Sequence, residues 1–283
     1  MKIERKKPDW LKIRLPQGEI SGNLQRIIKE NDIHTICTSG MCPNRGECWS
    51  AGTATFMIGG NICTRACKFC NVTTGRPLLP DPEEPVKVAR AVKSMGIRHV
   101  VLTSVDRDDL PDYGASHWVN VILMVKRENP PVTMETLIPD FQGKADLVKQ
   151  IINARPEVIS HNLETVERLT PQIRNKATYA VSLRVIRQIA DSGIIAKSGI
   201  MLGLGESREE ILQTMDHLRD AGCSVMTIGQ YLQPTAANIA VSEYIPPECF
   251  EEYRQIGLDK GFSHVESAPL VRSSYRAEKH IHV

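Results

Sequence analysis

No apolar run in the sequence approaches the ~20 residues that a membrane-spanning helix needs, which argues against an integral membrane protein. Charge of one sign is lacking too: 35 Lys and Arg against 33 Asp and Glu leave a net charge of +2. That is too small to draw the chain toward nucleic acid or lipid. The opening residues Met1-Lys2-Ile3-Glu4-Arg5-Lys6-Lys7 contain no apolar core of a secretion signal, so a soluble, cytoplasmic protein is expected. There is no internal repeat or low-complexity tract, and 283 residues are read as one domain with extensions.

What is present is eight cysteines, most of them clustered. A reducing compartment disfavours a disulfide framework and favours thiols that bind metal or do chemistry. From Thr53 onward, short apolar stretches alternate with amphipathic ones, the pattern of repeated βα units. Strands are expected at 53–58, 99–103, 132–136, 158–160, 195–202 and 225–228. Val86, Ala89, Val92 and Met95 are spaced as on one helix face. Ser21 to Glu30 reads as a short helix, 37–48 and 78–85 as loops, and Ser207-Arg208-Glu209-Glu210 as a capping box opening a helix. Six parallel strands do not close an eight-stranded barrel, so the expected fold is α/β, an incomplete (β/α)6 TIM-like barrel. Its chemistry belongs at the C-terminal ends of the strands. The barrel is assigned to residues 52–262, between an N-terminal extension 1–51 and a C-terminal extension 263–283.

Cys63-Thr-Arg-Ala-Cys67-Lys-Phe-Cys70 has the spacing C-x-x-x-C-x-x-C, which lets three thiolates converge on one metal centre and leaves one coordination position open. Soft thiolates suit zinc or iron-sulfur clusters, and the lack of a nearby fourth Cys or His fits a closed zinc site poorly. Gly59-Gly60 just before the loop lets the backbone turn sharply around a bulky group. The competing reading is a loop of buried structural cysteines. Cys37-Thr-Ser-Gly-Met-Cys42-Pro-Asn-Arg-Gly-Glu-Cys48, spaced C-x4-C-x5-C, again supplies three thiolates locally. Zinc with a distant fourth ligand remains open there, because spacing alone does not name the metal. Val271-Arg272-Ser273-Ser274-Tyr275-Arg276 would by itself be an ordinary polar tail.

The C-x-x-x-C-x-x-C loop after the first strand of an open six-unit barrel resembles the radical S-adenosylmethionine superfamily. The resemblance implies a 4Fe-4S cluster on Cys63, Cys67 and Cys70 whose open iron chelates S-adenosylmethionine and cleaves it to a 5′-deoxyadenosyl radical. Taken with the early C-x4-C-x5-C and the late Arg-Ser-Ser-Tyr run, the chain closely resembles the lipoyl synthase family over nearly its whole length. That family implies an auxiliary 4Fe-4S cluster on Cys37, Cys42, Cys48 and Ser274, serine being a weak ligand that can leave when the cluster is dismantled. It also implies sulfur insertion at carbons six and eight of an octanoyl chain on a lysine of a lipoyl-domain carrier protein, with two S-adenosylmethionine molecules used per product. An electron donor such as ferredoxin or flavodoxin and an iron-sulfur cluster carrier protein are the expected partners. The alternatives are a sulfur-inserting enzyme of the biotin synthase type, which leaves the Cys37, Cys42, Cys48 and Ser274 set unexplained, and a non-enzymatic two-cluster electron carrier, which leaves the βα units unexplained.

By the same resemblance, Thr103 and Ser104 contact the methionine amino group, and Asn162 and Glu164 bind the ribose hydroxyls. Lys197 is expected to reach the barrel mouth and pair with the carboxylate of S-adenosylmethionine. A turn-forming role for Thr103 and Ser104, and a structural one for Lys197, are the bland alternatives. Gly199-Ile-Met-Leu-Gly203-Leu-Gly205-Glu206 resembles the superfamily's G-x-I-x-G-x-x-E element near the adenine, with Met201 in place of Ile. Asp106-Arg107-Asp108-Asp109 reads as a solvated loop rather than a divalent-metal site, because Arg107 interrupts it. Cys223, Cys249, His217, His280 and His282 receive no role.

Overall fold

The structure is a computed structural model that describes residues 7–12, 19–50 and 55–281. His282 lies outside the described residues, as do positions 53 and 54 of the expected first strand.

All six expected strands form: β1 (Thr55–Ile58), β2 (His99–Ser104), β3 (Thr133–Leu137), β4 (Val158–Ser160), β5 (Ile195–Leu202) and β6 (Val225–Gln230). Each pairs in parallel with the next, in sequence order. A seventh parallel strand, β7 (His264–Ser267), which the sequence reading placed in the C-terminal extension, adds to β6. The two-residue strand His34–Thr35 adds antiparallel to β1. These two edge strands are not paired with each other, so the sheet is open among the described residues.

Strand residues alternate between two faces. Phe56, Ile58, Val100, Leu102, Met134, Ile159, Ile200, Met226 and Ile228 join the core under the helices. The intervening positions, among them Thr103, Glu135, Lys197, Gly199 and Thr227, face the barrel lumen. In the helix Glu84–Met95 the buried stripe is Val88, Ala89, Ala91 and Val92, whereas Val86 is 39 % exposed. Ala89 and Val92 of the expected face are on that stripe, and Val88 and Ala91 beside them are buried in place of Val86. The capping box is complete: Ser207 Oγ accepts from Glu210 N at 3.3 Å, and Ser207 N donates to Glu210 Oε2 at 2.8 Å.

The lumen carries a buried polar network low in the barrel. Lys197, fully buried, donates to both carboxylate oxygens of Glu135 at 2.7 Å and to Nδ1 of His280 at 3.0 Å. Burial alone would raise the Glu135 pKa, but the charge of Lys197 overrides it and the carboxyl is held below its ordinary value. His280 stays neutral because burial lowers its pKa. His264, Glu266 and His280 each offer a ligand atom within 4.8 Å of the others. As arranged they are not a ligand set: His280 Nδ1 accepts from the ammonium, which leaves the proton on Nε2. Through His280 the C-terminal extension is therefore anchored inside the barrel.

Candidate metal centres

β1 ends at Gly59 and Gly60, both with positive φ (78° and 96°), a conformation that costs glycine nothing. Gly59 N donates to the buried carboxylate of Glu84 at 2.8 Å, which also contacts His117. The chain then enters the loop carrying Cys63, Cys67 and Cys70. Backbone N–H groups of Arg65 and Asp106 point at Cys63 Sγ (3.4 and 3.3 Å), and that of Val72 at Cys70 Sγ (3.4 Å). Such donors favour anionic sulfur. None of the eight cysteines is in a disulfide.

Burial, reinforced by Asp106, pushes Cys63 up to about 11 and Cys67 up to about 12, and burial also raises Cys70. A nucleophilic cysteine needs the opposite shift. These thiols are inert until a cation replaces their protons, which is what a metal ligand does. Around them stand Glu164 and Arg174, both close enough to bias their charge.

Arg174 is a residue that sequence reasoning missed. It is 9 % exposed, and its Nη1 donates to the carbonyls of Asn162 and Leu163 (3.3 and 3.4 Å) and to Ser182 Oγ (2.9 Å). No carboxylate among the described residues forms an ion pair with it. Nothing in the local sequence distinguishes Arg174 from a surface arginine; the fold carries it to the cysteine loop.

The expected S-adenosylmethionine contacts divide. Thr103 is on the lumen face, its hydroxyl reaching Leu137 O at 3.3 Å. Ser104, its neighbour, faces the other way: its Oγ accepts the indole N–H of Trp118 at 3.1 Å, in the helix layer. Strand alternation allows only one of two successive residues to look into the barrel. Lys197 is likewise unavailable to an external carboxylate, since Glu135 holds it deep in the lumen. Asn162 and Glu164 follow β4 as expected. Glu164 adopts φ 68° and bridges to Ile200 of β5. Asn162 donates to Ser273 Oγ at 2.6 Å, and its Oδ1 is buried with no hydrogen-bond partner among the described residues. Beside it, a Cβ at Gly199 would come within 2.3 Å of Thr227 Oγ1 and 3.2 Å of Asn162 Oδ1. An unsatisfied acceptor next to an obligatory glycine is what a hydroxyl-bearing ligand at this strand end would need. Glu206 closes the turn after β5 by accepting from Gly203 N and Leu204 N (2.5 and 2.9 Å), so its role in that motif is to shape backbone.

The second cysteine set is not a plain loop. Cys37 lies in the short helix Ile36–Ser39 and Cys48 in Arg45–Ser50. Leu24, Cys37 and Trp49 form their own small apolar cluster, against which Cys42 and Cys48 pack. Burial raises both Cys37 and Cys42 above the ordinary thiol value. The buried indole N–H of Trp49 faces Cys37 and favours its thiolate. The C-terminal segment returns here. Asn44 donates to Leu270 O at 2.6 Å, Tyr275 OH to Glu47 at 3.0 Å, and Thr55 Oγ1 to Ser274 Oγ at 2.8 Å. Thr55 also hydrogen-bonds Cys37 through its backbone, so Ser274 and Cys37 share a neighbour although 237 positions separate them in sequence. Arg272 lies close enough to Cys42 to bias its charge.

The radical SAM superfamily matches residues 57–218 of this chain. Lipoyl synthase of Treponema denticola is 66 % identical over 99 % of this chain and 97 % of that one. The chain belongs to the lipoyl synthase family. Lipoyl synthase of Parabacteroides distasonis is 62 % identical over 98 % of both chains. Among solved structures, methylornithine synthase PylB aligns with TM-score 0.58 at 13 % identity over 88 % of this chain and 79 % of that one. The hydrogenase maturase HydG from Carboxydothermus hydrogenoformans gives 0.58 at 14 % over 93 % and 77 %; these two show the fold alone. As a lipoyl synthase family member the chain is a radical S-adenosylmethionine enzyme that inserts sulfur, with S-adenosylmethionine and two 4Fe-4S clusters as cofactors. Buried, proton-bearing thiols surrounded by N–H donors, with arginines nearby, fit anionic clusters at both cysteine sets. No helix among the described residues is long and apolar enough to cross a membrane.

Proposed function

We propose that Cys63, Cys67 and Cys70 hold the cluster that binds S-adenosylmethionine, and that Cys37, Cys42, Cys48 and Ser274 hold the auxiliary cluster that gives up sulfur. The observation that carries the second assignment is the Thr55 bridge from Ser274 to Cys37. The proposed domains are the extension 1–51, the barrel 52–262 and the extension 263–283, the last contributing Ser274 to the first.

When bound, the first cluster supplies the electron that cleaves S-adenosylmethionine, and the second supplies sulfide. The protein's own part is to orient and to exclude water. Asn162 Oδ1, unpaired beside Gly199, accepts from a ribose hydroxyl, with Glu164 next to it. Thr103 offers its hydroxyl to the methionine end. Arg174 takes the role expected of Lys197: a buried cation that pairs with no carboxylate among the described residues, placed to meet the carboxylate of S-adenosylmethionine. Ser274, held by one hydroxyl hydrogen bond, is the ligand most easily released.

The substrate is an octanoyl-lysine on a lipoyl-domain carrier protein, sulfur entering at carbons six and eight. A ferredoxin or flavodoxin supplies electrons, a cluster carrier protein rebuilds the auxiliary site, and the reaction takes place in the cytoplasm. The test is an anaerobic single turnover with reductant, S-adenosylmethionine and an octanoyl-lysine peptide, followed by mass spectrometry, with Cys42→Ala and Ser274→Ala variants alongside. A two-sulfur mass gain with 5′-deoxyadenosine, lost in Cys42→Ala, supports the reading. Deoxyadenosine without the gain in the unaltered enzyme overturns the substrate assignment.

A further inference from the structure

The run Asp106-Arg107-Asp108-Asp109, which reads as a solvated loop in sequence, is instead folded against the cysteine loop. Arg65, between Cys63 and Cys67, is 4 % exposed. Its guanidinium donates to Asp108 through Nε (2.9 Å) and Nη2 (2.8 Å), and to Asp140 through Nη1 (3.0 Å) and Nη2 (2.8 Å). Asp106 adds a third carboxylate at 3.3 Å from Nε. Two carboxylates from different strand ends, gripped by one planar fork, fix both the place and the angle of the side chain.

The neighbouring residues hold the same arrangement. Thr64 Oγ1 donates to Asp106 O at 2.9 Å and accepts from Asp108 N at 3.0 Å. Asp140 is presented by a strained turn in which Phe141, Gln142 and Gly143 all have positive φ (43°, 52° and 74°), a run that two non-glycine residues adopt only when the surroundings enforce it. Gln142 reaches back to Asp108 at 3.2 Å, and Lys176 pairs with the same carboxylate at 3.3 Å.

We propose that the Arg65 clasp is a positioning device that holds the loop of Cys63, Cys67 and Cys70 in its cluster-receiving shape before any iron arrives. The loop ends β1, Asp106 and Asp108 follow β2, and Asp140 follows β3, so three successive strand ends are locked to one arginine. The inference rests on the assignment of those cysteines to the S-adenosylmethionine-binding cluster.

The test uses the full chain, reconstituted anaerobically, as Arg65→Ala, Arg65→Lys, Asp140→Asn and, for the assignment itself, Cys63→Ala. Iron per chain is measured together with the electron paramagnetic resonance spectrum of the reduced protein before and after S-adenosylmethionine. Arg65→Ala is expected to keep about half the wild-type iron, because only one of two clusters is lost, and to lose the spectral change that S-adenosylmethionine causes. Arg65→Lys, which keeps the charge without the fork, should fall between wild type and Arg65→Ala, and it decides the matter if Arg65→Ala does not fold. Asp140→Asn, which weakens only one arm of the fork, should lose less than Arg65→Ala. Wild-type iron with an unchanged spectral response in both Arg65 variants overturns the clasp, as does an equal loss of iron from both sites. If Cys63→Ala retains the spectral response, the cysteine assignment falls and the clasp with it. If Cys63→Ala loses that response while the Arg65 variants keep it, the clasp alone falls.

Discussion

The two cysteine sets are mounted by opposite means. The loop of Cys63, Cys67 and Cys70 hangs from an ionic lattice of Arg65, Asp106, Asp108 and Asp140, built on the ends of neighbouring strands. Cys37, Cys42 and Cys48 pack in a small apolar cluster with Leu24 and Trp49, closed by a C-terminal segment through isolated hydrogen bonds. The first set is thus fixed to the barrel by charge-assisted contacts. The second set is instead assembled from the N-terminal and C-terminal segments, which also carry the two edge strands of the sheet.

The largest effect should separate the two sets chemically. Cys63→Ala is expected to abolish both 5′-deoxyadenosine and sulfur insertion, whereas Cys42→Ala abolishes only insertion; both are read by mass spectrometry of a single turnover. If Cys42→Ala stops deoxyadenosine formation as well, the two sites are not separable and the comparison breaks.

Next in size is the polar network on which the C-terminal extension is anchored. Lys197→Met leaves Glu135 charged and buried without its partner, at a cost of about 3–5 kcal/mol. Urea unfolding of the metal-free chain measures it, and adding Glu135→Gln should recover most of the loss. Because His280 belongs to the same network, the auxiliary set should lose iron before the other does.

A smaller effect is expected at Arg174. Removing one charge-assisted contact by Arg174→Ala should weaken S-adenosylmethionine binding about tenfold, roughly 1.4 kcal/mol, with Arg174→Lys between that and wild type in equilibrium binding. An unchanged affinity would return the carboxylate-binding role to some other cation.

The smallest effect is the part that the ionic mount plays in the pH dependence of stability. Burial alone would raise the Asp108 carboxyl, but the Arg65 guanidinium overrides this and holds it at about 2, below the ordinary value of 3.8. A depressed carboxylate contributes stability that is complete above the unfolded value and lost as pH falls through the folded one. Acid unfolding of the metal-free chain should therefore steepen between about pH 4 and pH 2, and Asp108→Asn should flatten it there.

Much of this was legible in the linear pattern. The six strands, the capping box at Ser207 and both cysteine sets follow from local periodicity and spacing, which act over a few residues. Ser104 and Lys197 show where that kind of reading stops. Both have suitable chemistry at suitable strand positions, yet one faces the helix layer toward Trp118 and the other is held by Glu135 across the lumen. The acidic run after β2 marks the same limit, since its partner Arg65 is more than forty positions away. Arg174 and His280 carried no local signal at all.

The sequence alone determined which atoms can hold metal and in what order strands and helices alternate, because thiol spacing and apolar periodicity are properties of neighbouring residues. Only the tertiary structure decided which charges are already neutralised, which acceptors remain unpaired and which extension meets Ser274. Those outcomes depend on contacts between residues tens to hundreds of positions apart, and they exist only once the barrel has formed.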